Sequence, residues 1–453
     1  MIAPKPVPRP DRVPLWRHLA LFRADILSSQ PQRLYRAWMA EFRTPFFRSY
    51  LCNDPALVRR VLEERPAAFP KSVRVAEGLR PLLGRSVFVA NGADWARQRR
   101  IIDPAFEGGR LRDAFPAMLA AGRAAVARMP EGMVEAEAQA SHAAADVIVR
   151  TLFSVPIDDA DAAEVFARFR DHQRTQPILN LAAFVPLPRW LPRPHGRQTR
   201  ATARAIRAVI GRMVERRAAA IAAGTAPDDL ATKIMTTPDP ETGRRFDAAE
   251  MADQVALFVL AGHETSAAAL AWALWLLAAD PAAQDRVAAE AAGLPDAPAF
   301  ADLARLRFTR DVLRETLRLY PPVPMMVREA ARRDEMRGRP IRRGAQVVVS
   351  PWHLHRHERL WADPDAFDPD RWQGEAARDS ARHAFIPFSA GPRACPGAGF
   401  AMMEGVLLLA LLVRAHRFAP AGGPPVPVAH LTVRARDGIR LDVRPRLLPA
   451  RQP

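Results

Sequence analysis

Between Asp247 and Ala279 the chain runs for 33 residues without a proline, and Asp280-Pro281 then stops it. Asp247 and Glu250 have the spacing of a capping box, which fixes where a helix begins. The residue before a proline is pushed out of the helical region, which fixes where it ends. A helix of that length spans about 50 Å, so the rest of the fold has to be arranged around it. Its 23 residues from Leu257 to Ala279 are mostly apolar, enough for a membrane span, but His263 and Glu264 lie inside them. An acid inside a bilayer is costly and rare. A helix that is apolar all round can instead be the buried centre of a large protein, and that is the reading adopted here.

Helical patterning dominates elsewhere. Asp54-Pro55 opens a short amphipathic helix through Leu62, and further helices are predicted over 95–102, 110–129, 138–154 and 200–222. Residues 176–198 hold prolines at 177, 186, 188, 192 and 194 and read as a mobile connection covering a pocket. Strand signals are few. Gln346–Ser350 is β-branched and follows the Arg343-Gly344 turn, so it is predicted to pair with the residues around Ile341, and a second pair is predicted within 429–443. The fold class is mainly α with a minor β-sheet, of the α+β kind. Residues 1–40 are read as a proline-rich extension and 41–453 as a single domain.

Composition narrows the function. The formal charge is +17, with Lys5, Lys71 and Lys233 the only lysines among 66 basic residues. The arginines are spread along the chain, with no zinc-finger spacing and no run interleaved with aromatics, so no nucleic-acid partner is expected. The field still favours acidic partners. Two cysteines, Cys52 and Cys395, make no disulfide framework and suit a reducing, cytoplasmic setting. The opening residues, Met1-Ile-Ala-Pro-Lys-Pro-Val-Pro-Arg-Pro10, lack the apolar run of a signal peptide. Residues 15–30 are too charged to span a bilayer, so loose membrane contact is open and stable insertion is not expected.

Cys395 lies in Phe388-Ser-Ala-Gly391-Pro-Arg393-Ala-Cys395-Pro-Gly397, just ahead of a helical run from Ala398 to Arg414. A helix N-terminus, backbone N–H groups and a metal each lower a thiol pKa, and glycines let the backbone close around the sulfur. The alternative is a buried structural cysteine. The spacing F-x-x-G-x-R-x-C-x-G resembles the heme-ligand loop of the cytochrome P450 family at every specified position. That resemblance implies a bacterial-type heme-thiolate monooxygenase with the family's mainly helical fold, heme b as cofactor and Cys395 as the axial ligand of its iron.

Three further motifs follow the family's order. Ala261-Gly262-His263-Glu264-Thr265-Ser266 resembles its oxygen-activation motif, where glycine and threonine loosen the helix ladder into a groove for dioxygen and water. The resemblance makes Glu264 a proton relay and gives Thr265 the positioning of the oxygen to be cleaved. Glu315-Thr-Leu-Arg318, with Arg371 in Phe367-Asp-Pro-Asp-Arg371-Trp372, resembles the family's buried charge network; such a network must be complete. Trp95-Ala-Arg-Gln-Arg99 resembles its propionate-binding helix, and Arg328 and Arg393 match other propionate partners, with Phe388 and Gly397 framing the cofactor loop. The resemblance also places Leu257, Phe258, Ala261, Val323, Met325 and Met326 by the substrate pocket.

The implied reaction inserts one atom of O2 into a hydrophobic small molecule such as a terpenoid, fatty acid or aromatic compound. The chain has no room for a flavin domain beyond residue 440, so electrons are expected from a separate acidic ferredoxin and its flavin-dependent reductase, with the enzyme a monomer. A peroxide-driven peroxygenase and a non-catalytic heme sensor or carrier are the alternatives; the Glu264-Thr265 pair speaks against the first, and the second would need neither a proton relay nor substrate turnover. Arg97 and Arg100 point away from Trp95 and Arg99 on a helical wheel and are expected to face solvent and meet the ferredoxin. His353-x-His355-x-His357 alternates as metal ligands on a strand would, but nothing nearby completes a site.

Overall fold

The computed structural model describes residues 1–43, 48–107, 109–175, 195–429 and 431–446. Its helices in the first half are α1 (Leu15–Ala24), α2 (Pro55–Arg59), α3 (Val73–Leu83), α4 (Gly92–Ile102), α5 (Arg110–Arg128), α6 (Ala136–Phe153) and α7 (Ala160–Thr175). Beyond these come α8 (Arg197–Ala222), α9 (Leu230–Thr236), α10 (Ala248–Ala279), α11 (Pro281–Ala292) and α12 (Arg307–Leu319). The last three are α13 (Pro351–Leu354), α14 (Glu375–Ala384) and α15 (Ala398–Ala415).

The rod read from the sequence is α10. Asp247 Oδ1 accepts from the Glu250 N–H at 2.8 Å while Glu250 Oε2 accepts from the Asp247 N–H at 3.2 Å, which completes the capping box. It packs against α6, α8, α12 and α15, and its side chains from Met251 to Leu260 and from Ala267 to Ala278 are buried. α10 and α15 are both long and apolar enough to cross a membrane, yet 78% and 56% of their apolar windows lie inside the protein. Both therefore serve as core helices, with their apolar surface satisfied by other helices instead of lipid.

The short helix at Pro55 passes at Arg60 into one π-helical turn, Arg60–Glu64. The predicted connection over 176–198 lies mostly outside the described residues. The strands form small sheets. β1 (Met39–Arg43), β2 (Arg48–Cys52), β7 (Gln346–Val349) and β4 (Met326–Glu329) make one sheet in that order. β7 pairs parallel with β2 (Ser49 opposite Gln346) and antiparallel with β4 (Met326 opposite Val349). Its expected partner Ile341 lies instead in the separate hairpin β5 (Asp334–Met336) and β6 (Arg339–Ile341). A short turn made local pairing the simple reading, but both edges of β7 are taken by distant strands, which local pattern cannot reveal. Within 429–443, β9 (Pro427–Ala429) does pair with β10 (Val433–Ala435), whereas β11 (Arg440–Pro445) pairs with β3 (Gly132–Glu135) and β8 (His416–Pro420).

The first forty residues lie against this body. Ala3 is buried and its N–H donates to the Asp365 carbonyl at 2.8 Å, while the Tyr320 hydroxyl donates to the Pro4 carbonyl at 2.9 Å. Leu34 and Tyr35 are buried as well.

Candidate active site

The cysteine loop is shaped by close backbone approach. Gly391 has φ +69°, and a Cβ there would stand 2.2 Å from the Leu62 carbonyl oxygen, so the loop rests directly on the π-helical turn. Only glycine fits a position with that dihedral and that neighbour. The Cys395 N–H donates to the Phe388 carbonyl at 2.9 Å, closing the loop just before α15 begins. Arg99 Nη1 donates to the Ala394 carbonyl at 2.7 Å and so ties the loop to α4. The Cys395 side chain is exposed although protein packs densely around it. Burial pushes the thiol pKa up, against the Gly397 N–H and the Arg99 charge, which pull it down. A metal cation is the remaining influence that would turn such a thiol into a thiolate.

α10 faces this loop across Phe106. The Phe106 ring lies 5.9 Å from that of Phe258 on α10 and 6.4 Å from that of Phe400 on α15. A Cβ on Gly397 would sit 3.8 Å from Phe106 and 3.9 Å from the Cys395 sulfur. Ala261 is exposed, and Gly262, Thr265 and Ser266 are partly so, in the middle of a helix otherwise buried. This is an open stretch at the centre of a rod that is buried on either side of it. Gly262 packs closely on α6, where a Cβ would approach the end of the Ile148 side chain to 2.9 Å and force it to shift. The α-helix continues through it unbroken, and the Thr265 hydroxyl donates back to the Ala261 carbonyl at 2.6 Å. Glu264 is buried on another face, where its Oε1 accepts from the Thr432 hydroxyl at 2.7 Å and from Arg434 at 3.1 Å. His263 is buried against Ser141 at 2.7 Å, and burial pushes its pKa down to about 3.

A cluster of cations stands at the side of the loop. Arg393 lies 5.0 Å from the Trp95 ring, Lys71 lies 6.0 Å from the same ring, and Arg393 Nη1 donates to the Pro66 carbonyl at 2.7 Å. Arg328 is buried, and its pKa is lowered to about 10 by burial first and by Arg393 second. Lys71 belongs to this group and was missed in the sequence; its signal was that lysine is so rare in this chain. Thus Trp95, Arg99, Arg328 and Arg393 are brought together around an unexpected fifth member.

The charge network read at Glu315 assembles in full. Arg318 donates to Glu315 through Nε at 2.9 Å and Nη2 at 2.7 Å, and Arg371 Nε donates to the same carboxylate at 3.2 Å. Arg318 also donates to the carbonyls of His355, Pro364 and Ala366. Of the residues assigned to the pocket, Leu257 and Phe258 are in the main core and Val323 is half-buried. Met325 packs beside Leu34, Ala40 and Leu51, and Met326 against the second core around Tyr50 and Val347. Phe388 packs on the main core.

One expectation is corrected. Arg97 is ion-paired with Glu250, and Arg100 holds Asp239 at 2.6 and 3.1 Å and Glu241 at 2.9 Å. A helical wheel shows which way these arginines point but not that the 237–250 segment folds over them. The three histidines are also engaged within the protein. His353 Nδ1 bonds the Ser350 hydroxyl at 2.8 Å, His355 Nε2 accepts the Ile386 N–H at 2.9 Å, and the His357 ring stacks on Trp38. The segment is helix α13 and its end, not a strand, and no metal-ligand cluster occurs among the described residues.

A helical body built on one central rod, with a cysteine loop opposite the rod's open centre and cations beside it, defines a class of heme-thiolate proteins. The family model of cytochrome P450 matches residues 8–441, and the chain belongs to that family. A cyclooctat-9-en-7-ol 5-monooxygenase from Streptomyces melanosporofaciens is 35% identical over 425 residues, covering 91% of this chain and 90% of its own. Cyclooctatin synthase from the same organism is 32% identical, covering 83% and 82%. A solved cytochrome P450DA heme domain superimposes with a TM-score of 0.80 at 25% identity, over 98% of both chains. The protein is thus a monooxygenase that uses heme b, O2, a redox partner and a small-molecule substrate. The residues present fit that cofactor: a reachable sulfur on a glycine-rich loop, and four cations suited to two carboxylates.

Proposed function

We propose that this enzyme inserts one oxygen atom into a hydrophobic small molecule, with Cys395 as the iron ligand and an acidic ferredoxin with its flavin-dependent reductase as electron source. Heme supplies the oxygen chemistry. In this reading Arg99, Arg328, Arg393 and Trp95 hold the propionates, Phe388 and Gly397 frame the cofactor, and Leu257, Phe258, Ala261, Val323, Met325 and Met326 shape the apolar side. Glu264, held by Arg434 and Thr432, relays protons, and the Thr265 hydroxyl orients the oxygen. Glu315, Arg318 and Arg371 keep the loop's side of the fold rigid. The observation that carries the reading is the path Cys395–Gly397–Phe106–Phe258, which sets the sulfur's loop against the open centre of α10.

The first relative's name gives an unsaturated alcohol oxidised at position 5, which supports an alicyclic or terpenoid substrate over an aromatic one. The test has two arms. Cys395→Ser is expected to lose the red-shifted Soret band of the reduced carbonyl complex; retention of that band rules out Cys395 as ligand. Product formed with ferredoxin, reductase and O2 from such an alcohol supports the reading. Product only with added peroxide would make the enzyme a peroxygenase, and heme binding with no turnover would make it a carrier.

A further inference from the structure

The segment Pro70–Ser72 runs along the free edge of β4. The Glu329 N–H donates to the Pro70 carbonyl at 2.9 Å, the Ser72 N–H to the Val327 carbonyl at 3.3 Å, and Lys71 stands directly opposite Arg328 in an antiparallel bridge. Like charges directly opposite across a strand pair repel. Among the described residues, the charged groups that act on Lys71 are cations. β4 gives Arg328, the cysteine loop gives Arg393, and α4 gives Arg99 and the Trp95 ring. The Lys71 amine donates to the Val87 carbonyl, and the Asn91 side chain bonds its backbone. The nearby carboxylate, Asp103, lies 2.6 Å from Arg99 and is engaged there. Three of the four cations are guanidiniums, which keep their charge; lysine is the one that readily gives up a proton.

We propose that Lys71 is neutral until heme is loaded and takes up one proton as the two propionates enter the cluster, so that cofactor loading is proton-linked through this residue. The inference rests on the reading that the cluster receives the propionates. Burial, then Arg328, Arg393 and Arg99 in turn, push the amine's pKa down to about 6. Two arriving carboxylates offset most of that field and raise it again. Between those limits the loaded protein holds a proton that the empty one lacks, and affinity for heme falls as pH rises. An arginine at position 71 would be charged throughout and would show no such dependence.

The test is hemin binding to apoprotein, by Soret titration at pH 6.5–8.5 and by calorimetry in buffers of different ionisation enthalpy. The parent is compared with Lys71→Arg and Lys71→Met. Protons released elsewhere on loading, from Cys395 above all, are common to all three and cancel in the comparison. The parent is expected to take up about one proton more than either variant near pH 8, and its affinity relative to Lys71→Arg is expected to fall about tenfold per pH unit. On the unaltered protein, heme dimethyl ester, which lacks the two charges, should lose that extra proton. Equal proton counts for parent and Lys71→Arg, with hemin bound normally, overturn the role of Lys71 and leave the heme site standing. Hemin and its dimethyl ester binding with equal affinity and equal proton count would instead overturn the propionate reading of the cluster.

Discussion

The Ser266 hydroxyl on α10 donates to Glu404 Oε2 on α15 at 2.6 Å, joining the helix that carries Thr265 to the helix that follows Cys395. Glu404 is buried, and its other oxygen has no protein partner. Burial raises its pKa from 4.5 to about 8, with the Ser266 bond pulling the other way.

Between those two values the folded protein holds a proton that the unfolded chain does not. Stability therefore falls as pH rises through that window, by up to about 1.4 kcal/mol per pH unit from this group. Glu404→Gln keeps an acceptor for Ser266 and has no charge to bury. It is expected to unfold at the parent's urea concentration near pH 5 and to gain a few kcal/mol over the parent by pH 8. Parallel stability curves for the two proteins would show that Glu404 does not titrate there.

Glu315 and Arg318 are both fully buried, with Arg371 on the same carboxylate. Arg318→Met leaves a carboxylate in the core with Arg371 and the Asp368 N–H as its remaining partners, a loss of about 3–5 kcal/mol. Glu315→Leu together with Arg318→Met removes the stranded charge and is expected to recover part of that loss. Urea denaturation of the single and double variants checks both; a single variant as stable as the parent would make the network dispensable.

How far the sequence could be read depended on whether a feature was local. The rod at 247–279 was legible because its cap, its apolar length and its proline stop all lie within it. The Glu315–Arg318 pair was legible because three residues of helix set its geometry. The partners of β7 were not, since residues 49–52 and 326–329 reach it through tertiary folding. Lys71 escaped for the same reason: its meaning comes from Arg328, more than 250 positions away. Glu404 was visible as a lone acid in the apolar run of α15, but only Ser266 shows what it meets.

Arg97 and Arg100 show the opposite error, a surface inferred where the fold makes an interior contact. Asp239 is fully buried against Arg100, and the Thr242 hydroxyl also donates to it, at 2.6 Å. Arg100 and Thr242 hold the Asp239 carboxyl well below the usual range. Arg97→Glu with Arg100→Glu is therefore expected to lower the melting temperature and speed hydrogen exchange in residues 237–250. Any loss of ferredoxin-supported turnover should be alike at low and high salt. A loss confined to low salt, with melting unchanged, would return these arginines to the surface.

Glu264 and Thr265 are neighbours in sequence with different bonds. The hydroxyl of Thr265 is turned to the Ala261 carbonyl at 2.6 Å, and the carboxylate of Glu264 is held by Thr432 and Arg434 on the β10 side. The two therefore have separable tasks. Thr265 stands at the open centre of α10, so Thr265→Ala should leave substrate binding intact and divert a large share of the electrons consumed into hydrogen peroxide. Glu264 lies behind it with Arg434, whose side chain is 37% exposed and reaches solvent. Glu264→Gln should slow turnover by about 10²-fold, the usual size of a lost general acid, with a larger solvent isotope effect and little extra peroxide. Arg434→Met should leave the carboxylate with the Thr432 bond alone and slow turnover, because the side chain that links the carboxylate to solvent is gone. The measurements are peroxide and product per electron pair, and rate against pH in water and deuterium oxide. Equal peroxide yields from Thr265→Ala and the parent would remove Thr265 from the reaction, and an unchanged rate and isotope effect in Arg434→Met would remove Arg434 from the proton path.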